Sequence, residues 1–189
     1  MTKKIRMLVL GTGHMANSHA KAYFDDPRVE LVAACDVVPG RAEVFANAYG
    51  MQKSFVSLEE AIAWGQFDAA SNVTPDSMHH PTTMQLLAAK KHVLCEKPLA
   101  ENFKLANEMA TTAEAAGVIN MVNLTYRNDA ILHAAKKLVE SGEIGDIRHV
   151  EASYRQSWLV GDHWGHWADH PMWLWRLSEK HGSKGVLGD

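Results

Sequence analysis

The 189-residue chain has room for one domain and part of another, and its 47% apolar and 22% charged residues are ordinary for a globular protein. A formal net charge of −3 gives no electrostatic reason to expect nucleic acid or an anionic membrane as a partner. The apolar run before Gly11 is too short for a signal peptide and no window is long enough to span a membrane, so we expect a cytoplasmic protein.

The first two thirds of the chain alternate between strand and helix patterns. Predicted strands cover residues 5–10, 29–35, 67–73, 93–95 and 118–122. Predicted helices lie between them, three of them with an expected N-cap at Ser57, Asp76 or Asn102. Strands separated by helices favour an α/β fold with a parallel, doubly wound sheet of the Rossmann type over residues 1–122.

The pattern changes after about Asn123. A helix is predicted to begin at Asn128, with Ile131, Leu138 and Val139 on its buried side. Residues 147–156 then alternate in polarity, which predicts a strand in an open sheet. We therefore expect residues 123–189 to be the incomplete start of a second, α+β domain.

A glycine-rich segment follows the first predicted strand and precedes the first predicted helix. It fits the G-x-G-x-x-A pattern of dinucleotide-binding loops, although a simple glycine turn is the alternative interpretation. In such a loop the pyrophosphate rests on the N-terminus of the helix, where backbone N–H groups point outward. The predicted cofactor-binding residues here are Gly11, Thr12, Gly13, His14 and Met15.

Asp36 ends the second predicted strand, about 20 residues beyond the glycine loop. A carboxylate at this position accepts hydrogen bonds from the adenosine ribose and repels a 2′-phosphate, so it favours NAD over NADP. Arg41 is also a predicted cofactor-binding residue, and because an arginine accommodates that phosphate it keeps NADP as an alternative.

The predicted strand at 93–95 ends abruptly in Glu96, Lys97 and Pro98. Ligands and chemistry collect at the carboxyl ends of strands in a parallel sheet, and a lysine there is suited to proton transfer. An exposed ion pair after a strand is the alternative interpretation of Glu96 and Lys97.

Three motifs, in this order and spacing, resemble those of the Gfo/Idh/MocA family (glucose–fructose oxidoreductase, inositol dehydrogenase). They are Gly11-x-Gly13-x-x-Ala16-x-x-His19, Thr74-Pro75-Asp76-x-x-His79 and Cys95-Glu96-Lys97-Pro98-Leu99-Ala100. The resemblance continues through residues 123–127 and 141–145 and so covers essentially the whole chain.

The resemblance implies site residues at both ends of the cofactor. Lys97 is the implied catalytic residue, which contacts the nicotinamide ribose and the substrate hydroxyl and assists proton transfer. Glu96 is implied to fix the nicotinamide, and a cis bond is implied before Pro98. The other implied cofactor contacts are Thr74, Pro75 and His79, the last with local packing at a helix start as its alternative.

Substrate contacts are implied in the second part of the chain. Tyr126 and Arg127 are expected to face the cleft, with a hinge salt bridge as the alternative for Arg127. Trp158 is a candidate for stacking on a sugar ring, and burial in a core is its alternative. The segment with His163, His166 and His170 invites comparison with a zinc site, but we expect a substrate loop or an interface and predict no metal.

The resemblance as a whole implies an enzyme that transfers hydride between NAD, or NADP, and a secondary alcohol of a sugar, inositol or related polyol. A non-catalytic NAD(P)-binding regulator and a redox-neutral, NAD-dependent glycoside-processing enzyme are the alternatives. The resemblance also implies a homo-oligomer when full length, and a histidine beyond Asp189 that works with Lys97. We therefore expect the 189-residue chain to bind the cofactor but to turn over poorly.

Overall fold

The computed structural model describes residues 3–155, 157 and 161, and the chain divides into two compact units after Asn123. In the first unit, strands and helices alternate. Its strands are β1 (Ile5–Leu10), β2 (Val29–Cys35), β3 (Lys53–Phe55), β4 (Ala69–Asn72), β5 (His92–Cys95) and β6 (Asn120–Val122). Its helices are α1 (His14–Asp25), α2 (Arg41–Ala48), α3 (Leu58–Trp64), α4 (Asp76–Ala88) and α5 (Phe103–Ala116).

Within the described residues, the six strands form one sheet in the order β3-β2-β1-β4-β5-β6, and every neighbouring pair is parallel. This is the strand order of a doubly wound dinucleotide-binding sheet, in which the order reverses between β1 and β4. The predicted fold class is therefore confirmed for this part of the chain.

The sheet is buried on both faces, as the continuous apolar strands predict. Leu8 and Leu10 of β1 join one core layer, whereas Met7 and Val9 join the other, because successive side chains point to opposite faces. Phe67 is fully buried immediately before β4.

Helix caps and strand limits correct several predictions. Ser57 and Asn102 cap α3 and α5 by accepting a backbone N–H, as expected. Asp76 is instead the first residue of α4, and Pro75 occupies the N-cap position, because proline favours the extended backbone that precedes a helix. The short edge strand β3 was not predicted, since its three residues are too few to show a period.

The second unit begins at Leu124. A 3-10 helix covers Thr125–Asn128, and α6 covers Ala130–Glu140 with the Asp129 side chain as its N-cap. The prediction that this helix begins at Asn128 was therefore wrong by two residues, because Asp129 accepts the Ile131 N–H and fixes the start.

Two further predictions for the second unit are contradicted. The apolar side of α6 is exposed rather than buried, with Ile131 at 77%. Periodicity identifies an apolar face but does not supply an element to cover it. No strand forms among residues 147–155, where the alternation predicted one, because alternation creates a strand only where a hydrogen-bonded neighbour exists. Among the described residues, none of the helices has the length and apolar character needed to cross a bilayer.

Candidate active site

One row of register-paired residues crosses five strands at their carboxyl ends. In order across the sheet the row is Cys35, Leu10, Asn72, Cys95 and Val122. The residues that follow these five line the carboxyl edge of the sheet: Asp36, Gly11, Val73, Glu96 and Asn123. The glycine loop, the Thr74-Pro75 segment and the Glu96-Lys97 pair therefore share one edge, which is where parallel sheets bind ligands.

The edge has two halves on either side of the strand-order reversal. We call residues 11–15 with Asp36 and Arg41 the glycine-loop half, and residues 72–79 with 96–98 the lysine half. In the glycine-loop half, Gly11 adopts φ +83°, and a Cβ there would lie 2.7 Å from the Val73 carbonyl oxygen. Only glycine fits this position, because both the backbone conformation and the neighbouring strand exclude a side chain.

Gly13 serves a different purpose in the same loop. It occupies the N-cap position of α1 in an extended conformation, and a Cβ there would meet no atom within 4 Å. Neither a side-chain cap nor an acidic residue occupies the first turn of α1, so its backbone N–H groups face outward unopposed. These features fit a pyrophosphate, which needs close backbone approach and free helix N–H groups.

Asp36 is held by the glycine loop itself. Its Oδ2 accepts the Thr12 N–H at 2.9 Å and the Thr12 hydroxyl at 2.8 Å, and its Oδ1 accepts the Val38 N–H at 2.9 Å. Burial raises the pKa of Asp36, but these hydrogen bonds and the charge of Arg41 outweigh it and leave the pKa lowered. Asp36 is thus a charged carboxylate, and Oδ1 keeps an acceptor position for a ribose hydroxyl.

An open cleft of about 580 Å³ adjoins Asp36. Thr12 of the loop and Gly40, Arg41 and Phe45 at the start of α2 contribute to its walls. The Arg41 Nη1 lies 3.8 Å from Asp36 Oδ2, so a residue that lines the cleft also places its guanidinium beside the carboxylate. His14 and Met15, which were also predicted to contact the cofactor, are exposed in the first turn of α1. Together these residues fit a dinucleotide.

The lysine half is organised by Asn72, which sequence reasoning missed. Its fully buried side chain accepts the Thr74 hydroxyl at 2.7 Å and donates to the hydroxyls of Thr82 and Thr83 at 2.8 and 3.0 Å. Asn72 therefore ties the turn at Thr74 to the second turn of α4. The sequence signal for Asn72 is its polar side chain at the end of a buried strand.

His79 joins the two loops of the lysine half. It is 0% exposed, with Nδ1 2.6 Å from the Pro98 carbonyl oxygen and Nε2 2.8 Å from the Thr74 carbonyl oxygen. Both ring nitrogens are thus engaged with backbone in the structure, so the geometry favours local packing, which was the alternative to a direct cofactor contact. His79 holds the Thr74-Pro75 segment beside the cis Lys97–Pro98 peptide, which the family resemblance had implied.

Glu96 points into the protein. Glu96 is 9% exposed. Its Oε1 lies 2.7 Å from His19 Nε2 and accepts the Asn123 side-chain N–H at 2.7 Å. Burial raises the pKa of Glu96, but hydrogen bonds from His19, Asn123 and the Lys97 backbone outweigh it and leave the pKa lowered. Glu96 is therefore a charged, anchored group, and Lys97 beside it is half-buried.

The predicted substrate contacts lie in the second unit or outside the described residues. Tyr126 and Arg127 are exposed in the 3-10 helix, and the Tyr126 hydroxyl lies 2.9 Å from that of Tyr154. Trp158 lies outside the described residues, as does the segment with His163, His166 and His170. Their roles therefore stay predictions.

The sheet order and the glycine loop define the first unit as a dinucleotide-binding domain of the Rossmann class. The model of an oxidoreductase family with an NAD-binding Rossmann fold matches residues 5–124, and that of the Gfo/Idh/MocA C-terminal domain matches residues 132–189. The chain belongs to the Gfo/Idh/MocA oxidoreductase family.

The relatives include dehydrogenases of sugars and inositols. The chain is 31% identical to a glucose-6-phosphate 3-dehydrogenase of Bacillus subtilis over 79% of its own length and 42% of the relative. It is also 31% identical to the NADP⁺-dependent scyllo-inositol 2-dehydrogenase IolU of the same organism, over 80% of the chain and 46% of the relative. The chain thus spans about half the length of the curated relatives it matches.

A solved structure shares the fold. The WlbA dehydrogenase of Bordetella pertussis, in complex with NADH and UDP-GlcNAcA, superimposes with a TM-score of 0.73 at 32% identity. The match covers 77% of this chain and 42% of that one. Family membership thus accounts for the strand order and the cofactor-binding loop together.

Proposed function

We propose that the protein is a nicotinamide-dependent oxidoreductase that transfers hydride between NAD(P) and a secondary alcohol of a sugar, inositol or related polyol. One observation carries this proposal: the glycine loop, Asp36, Thr74 and Glu96-Lys97 lie at or next to a single row of register-paired strand ends. A dinucleotide on the glycine loop extends along that edge, from Asp36 across the strand-order reversal toward Lys97.

The bound nicotinamide supplies the hydride acceptor or donor, and the protein supplies binding, orientation and proton transfer. Gly11 and Gly13 admit the pyrophosphate to the N-terminus of α1. Asp36 accepts a ribose hydroxyl at the adenosine end. Thr74 and Pro75 cover the cofactor where the edge turns from β4 to α4, and Glu96 keeps the peptide of Lys97 in place.

Lys97 is the proposed catalytic residue. When the substrate carbon loses hydride, its hydroxyl oxygen must lose a proton, and the Lys97 amine is proposed to accept that proton as the carbonyl forms. In the reverse direction the charged Nζ returns the proton to the carbonyl oxygen as hydride arrives. Lys97 is the second residue beyond β5, whose end is fixed by both neighbouring strands.

We propose NAD as the preferred cofactor. The charged Asp36 disfavours a 2′-phosphate, and Arg41 already faces that carboxylate at 3.8 Å. NADP is the alternative, because one relative uses NADP⁺ and because Arg41 lines the cleft, where its guanidinium suits a phosphate.

Substrate recognition is assigned to the second part of the chain. Tyr126, Arg127 and Trp158 are the proposed contacts, because aromatic rings and a guanidinium suit hydroxyl-rich ligands. We propose residues 1–122 as the cofactor domain and residues 123–189 as the beginning of the substrate and oligomerisation domain. The full-length protein is proposed to be a cytoplasmic homo-oligomer that binds neither nucleic acid nor membrane, which suits its net charge of −3.

A panel of polyols, sugars and inositols, followed by NADH absorbance in the full-length protein, tests the proposal. Oxidation of at least one panel member at a rate that requires NAD⁺ or NADP⁺ is the expected result. Cofactor binding without oxidation of any member would instead favour the regulator. Cleavage of a glycoside with no net NADH would favour the redox-neutral enzyme.

A further inference from the structure

A chain of buried polar groups crosses the first unit beneath the lysine half. His19 of α1 is 7% exposed, and its Nδ1 lies 2.9 Å from the hydroxyl oxygen of Ser71 in β4. Its Nε2 lies 2.7 Å from Glu96 Oε1 at the end of β5. A buried imidazole with both nitrogens engaged is costly to place unless its partners are fixed, so this contact is a specific feature of the fold.

Asn123, which follows β6, completes the environment of Glu96. Its side-chain N–H donates to Glu96 Oε1 at 2.7 Å, and the Lys97 backbone N–H donates to Glu96 Oε2 at 3.1 Å. Both carboxylate oxygens are therefore occupied by protein donors. The Glu96 side chain is held by groups from α1 and from the end of β6, and it holds in turn the peptide that carries Lys97.

The order of donors assigns one arrangement to the network. The Tyr23 hydroxyl donates to Ser71 Oγ at 3.1 Å, which leaves the Ser71 hydroxyl free to donate to His19 Nδ1. His19 then carries its proton at Nε2 and donates it to Glu96. Every member is satisfied in this arrangement, which is the condition under which a buried polar network fixes geometry.

We infer that His19, together with Asn123, is a positioning residue for Lys97, acting through the carboxylate of Glu96. This inference rests on the proposed function of Lys97. His19 belongs to the helix whose N-terminus is proposed to receive the pyrophosphate, so one rigid element connects the cofactor-binding loop to the anchor of the proposed catalytic lysine.

Removal of His19 changes Glu96 in a defined direction. The titratable groups around Glu96 are His19 and Tyr23 from α1, Cys95 from β5 and Lys97 beside it. Burial raises the pKa of Glu96 and the donors lower it. Without the His19 donor, fewer hydrogen bonds oppose the effect of burial, so the pKa of Glu96 rises. A protonated Glu96 no longer holds the Lys97 peptide as a charged acceptor.

The test compares His19→Leu with His19→Gln in the full-length protein, because the glutamine amide retains a donor for Glu96 and an acceptor for Ser71. For His19→Leu we expect kcat to fall at least about 10-fold, with the NADH dissociation constant changed less than about 3-fold, and the acid limb of the kcat–pH profile to move to higher pH. His19→Gln restores most of kcat and the profile. His80→Leu removes a second histidine–glutamate contact, that with Glu108, and is the matched control expected to behave as wild type.

A second readout separates this inference from the proposed function, since it needs no substrate. In ¹⁵N-labelled protein, the Lys97 amide proton reports its bond to Glu96, and in ¹³C-labelled protein the carboxylate of Glu96 reports its own titration. We expect the amide resonance to move and the Glu96 midpoint to rise in His19→Leu, and both to return in His19→Gln. Asn123→Ala gives the same pattern more weakly and serves if His19→Leu does not fold.

Unchanged Lys97 and Glu96 resonances in a folded His19→Leu variant would overturn the inference, whatever the protein oxidises. A kcat loss that merely follows the unfolded fraction, with no movement of the pH profile and no rescue by glutamine, would also overturn it. If wild type oxidises no polyol while both resonances behave as expected, the proposed function fails and the anchoring of Lys97 by His19 stands.

Discussion

The two halves of the carboxyl edge differ in the groups that form them. The glycine-loop half presents backbone and exposed residues such as Gly13 and His14, and its buried carboxylate, Asp36, is held mainly by backbone N–H groups. The lysine half is interlocked by buried side chains, with Asn72 and His79 both 0% exposed. Binding a phosphate requires space and free N–H groups, whereas placing a proton-transfer group requires side chains that hold one another. Substitutions in the two halves should therefore separate affinity from turnover.

The largest effect is expected in the lysine half. Lys97→Ala removes the group proposed to accept the substrate proton and leaves the glycine loop intact. We expect kcat in the full-length protein to fall by roughly 10²–10⁴-fold, the usual contribution of general acid–base catalysis. The NADH dissociation constant, measured by fluorescence, should change only slightly.

Lys53→Ala is the matched control, since Lys53 is an exposed lysine at the amino end of the edge strand β3. It should match wild type in both measurements. Turnover of Lys97→Ala at the wild-type rate would show that Lys97 does not take part in the reaction. A large loss of NADH affinity in the same variant would show that the two halves do not act separately.

The next effect concerns two glycines of the same loop. Gly13→Val should lower NADH affinity at least about 10-fold, or 1.4 kcal/mol, while leaving the thermal midpoint close to wild type. The reason is that Gly13 has extended backbone and no protein atom within 4 Å of a Cβ, so a side chain there obstructs only a ligand.

Gly11→Ala is expected to behave differently, because its Cβ would lie 2.7 Å from the Val73 carbonyl oxygen and its φ is +83°. It should lose about 1–3 kcal/mol of stability as well as affinity. Calorimetry and NADH titration of both variants distinguish the two cases. Equal destabilisation by the two substitutions would contradict the assignment of Gly13 to ligand approach.

The same contrast explains how much the sequence could predict. The glycine loop and the strand ends were predictable, because apolar runs, glycine spacing and turn residues are local signals. The interlocking of the lysine half was not, since the contact between His19 and Glu96 joins residues 77 positions apart. Asn123 was missed for the same reason, because it lies 27 positions from Glu96. Asn72 is different, because its partners lie within 11 positions and its signal, a polar residue at the end of a buried strand, is local. On α6 the apolar period was read correctly, but burial of Ile131 depends on a covering surface that periodicity does not reveal.

A smaller effect is expected at the adenosine end. Asp36→Ser removes the charge that is proposed to disfavour a 2′-phosphate, and it releases Arg41 from its carboxylate neighbour. We expect the ratio of NADP⁺ to NAD⁺ affinity to rise about 10-fold, a conservative fraction of the several kcal/mol that like-charge contact costs. Asp36→Ser combined with Arg41→Ala should lose most of that gain. An unchanged ratio in the single variant would show that Asp36 does not select the cofactor.

The smallest effect on activity is expected at the opposite edge of the sheet. Asp68, just before β4, accepts two side-chain hydrogen bonds and one backbone hydrogen bond from Arg6 of β1. The side-chain hydrogen bond of Arg6 holds the pKa of Asp68 well below its usual range. Because the folded pKa lies below the unfolded one, the stabilisation is complete above about pH 4 and is lost as the pH falls through the unfolded and then the folded value.

Asp68→Asn should therefore lower the thermal midpoint by a few degrees at pH 7, and the difference from wild type should shrink steadily below pH 4. NADH affinity and kcat should stay at wild-type values at pH 7. Asp68 precedes β4 at the amino edge of the sheet, so the whole length of β4 separates it from the carboxyl edge. A loss of turnover without a loss of stability would mean that the carboxyl edge depends on distant charge. A stability difference that does not shrink as the pH falls below about 4 would mean that the ion pair with Arg6 is not its source.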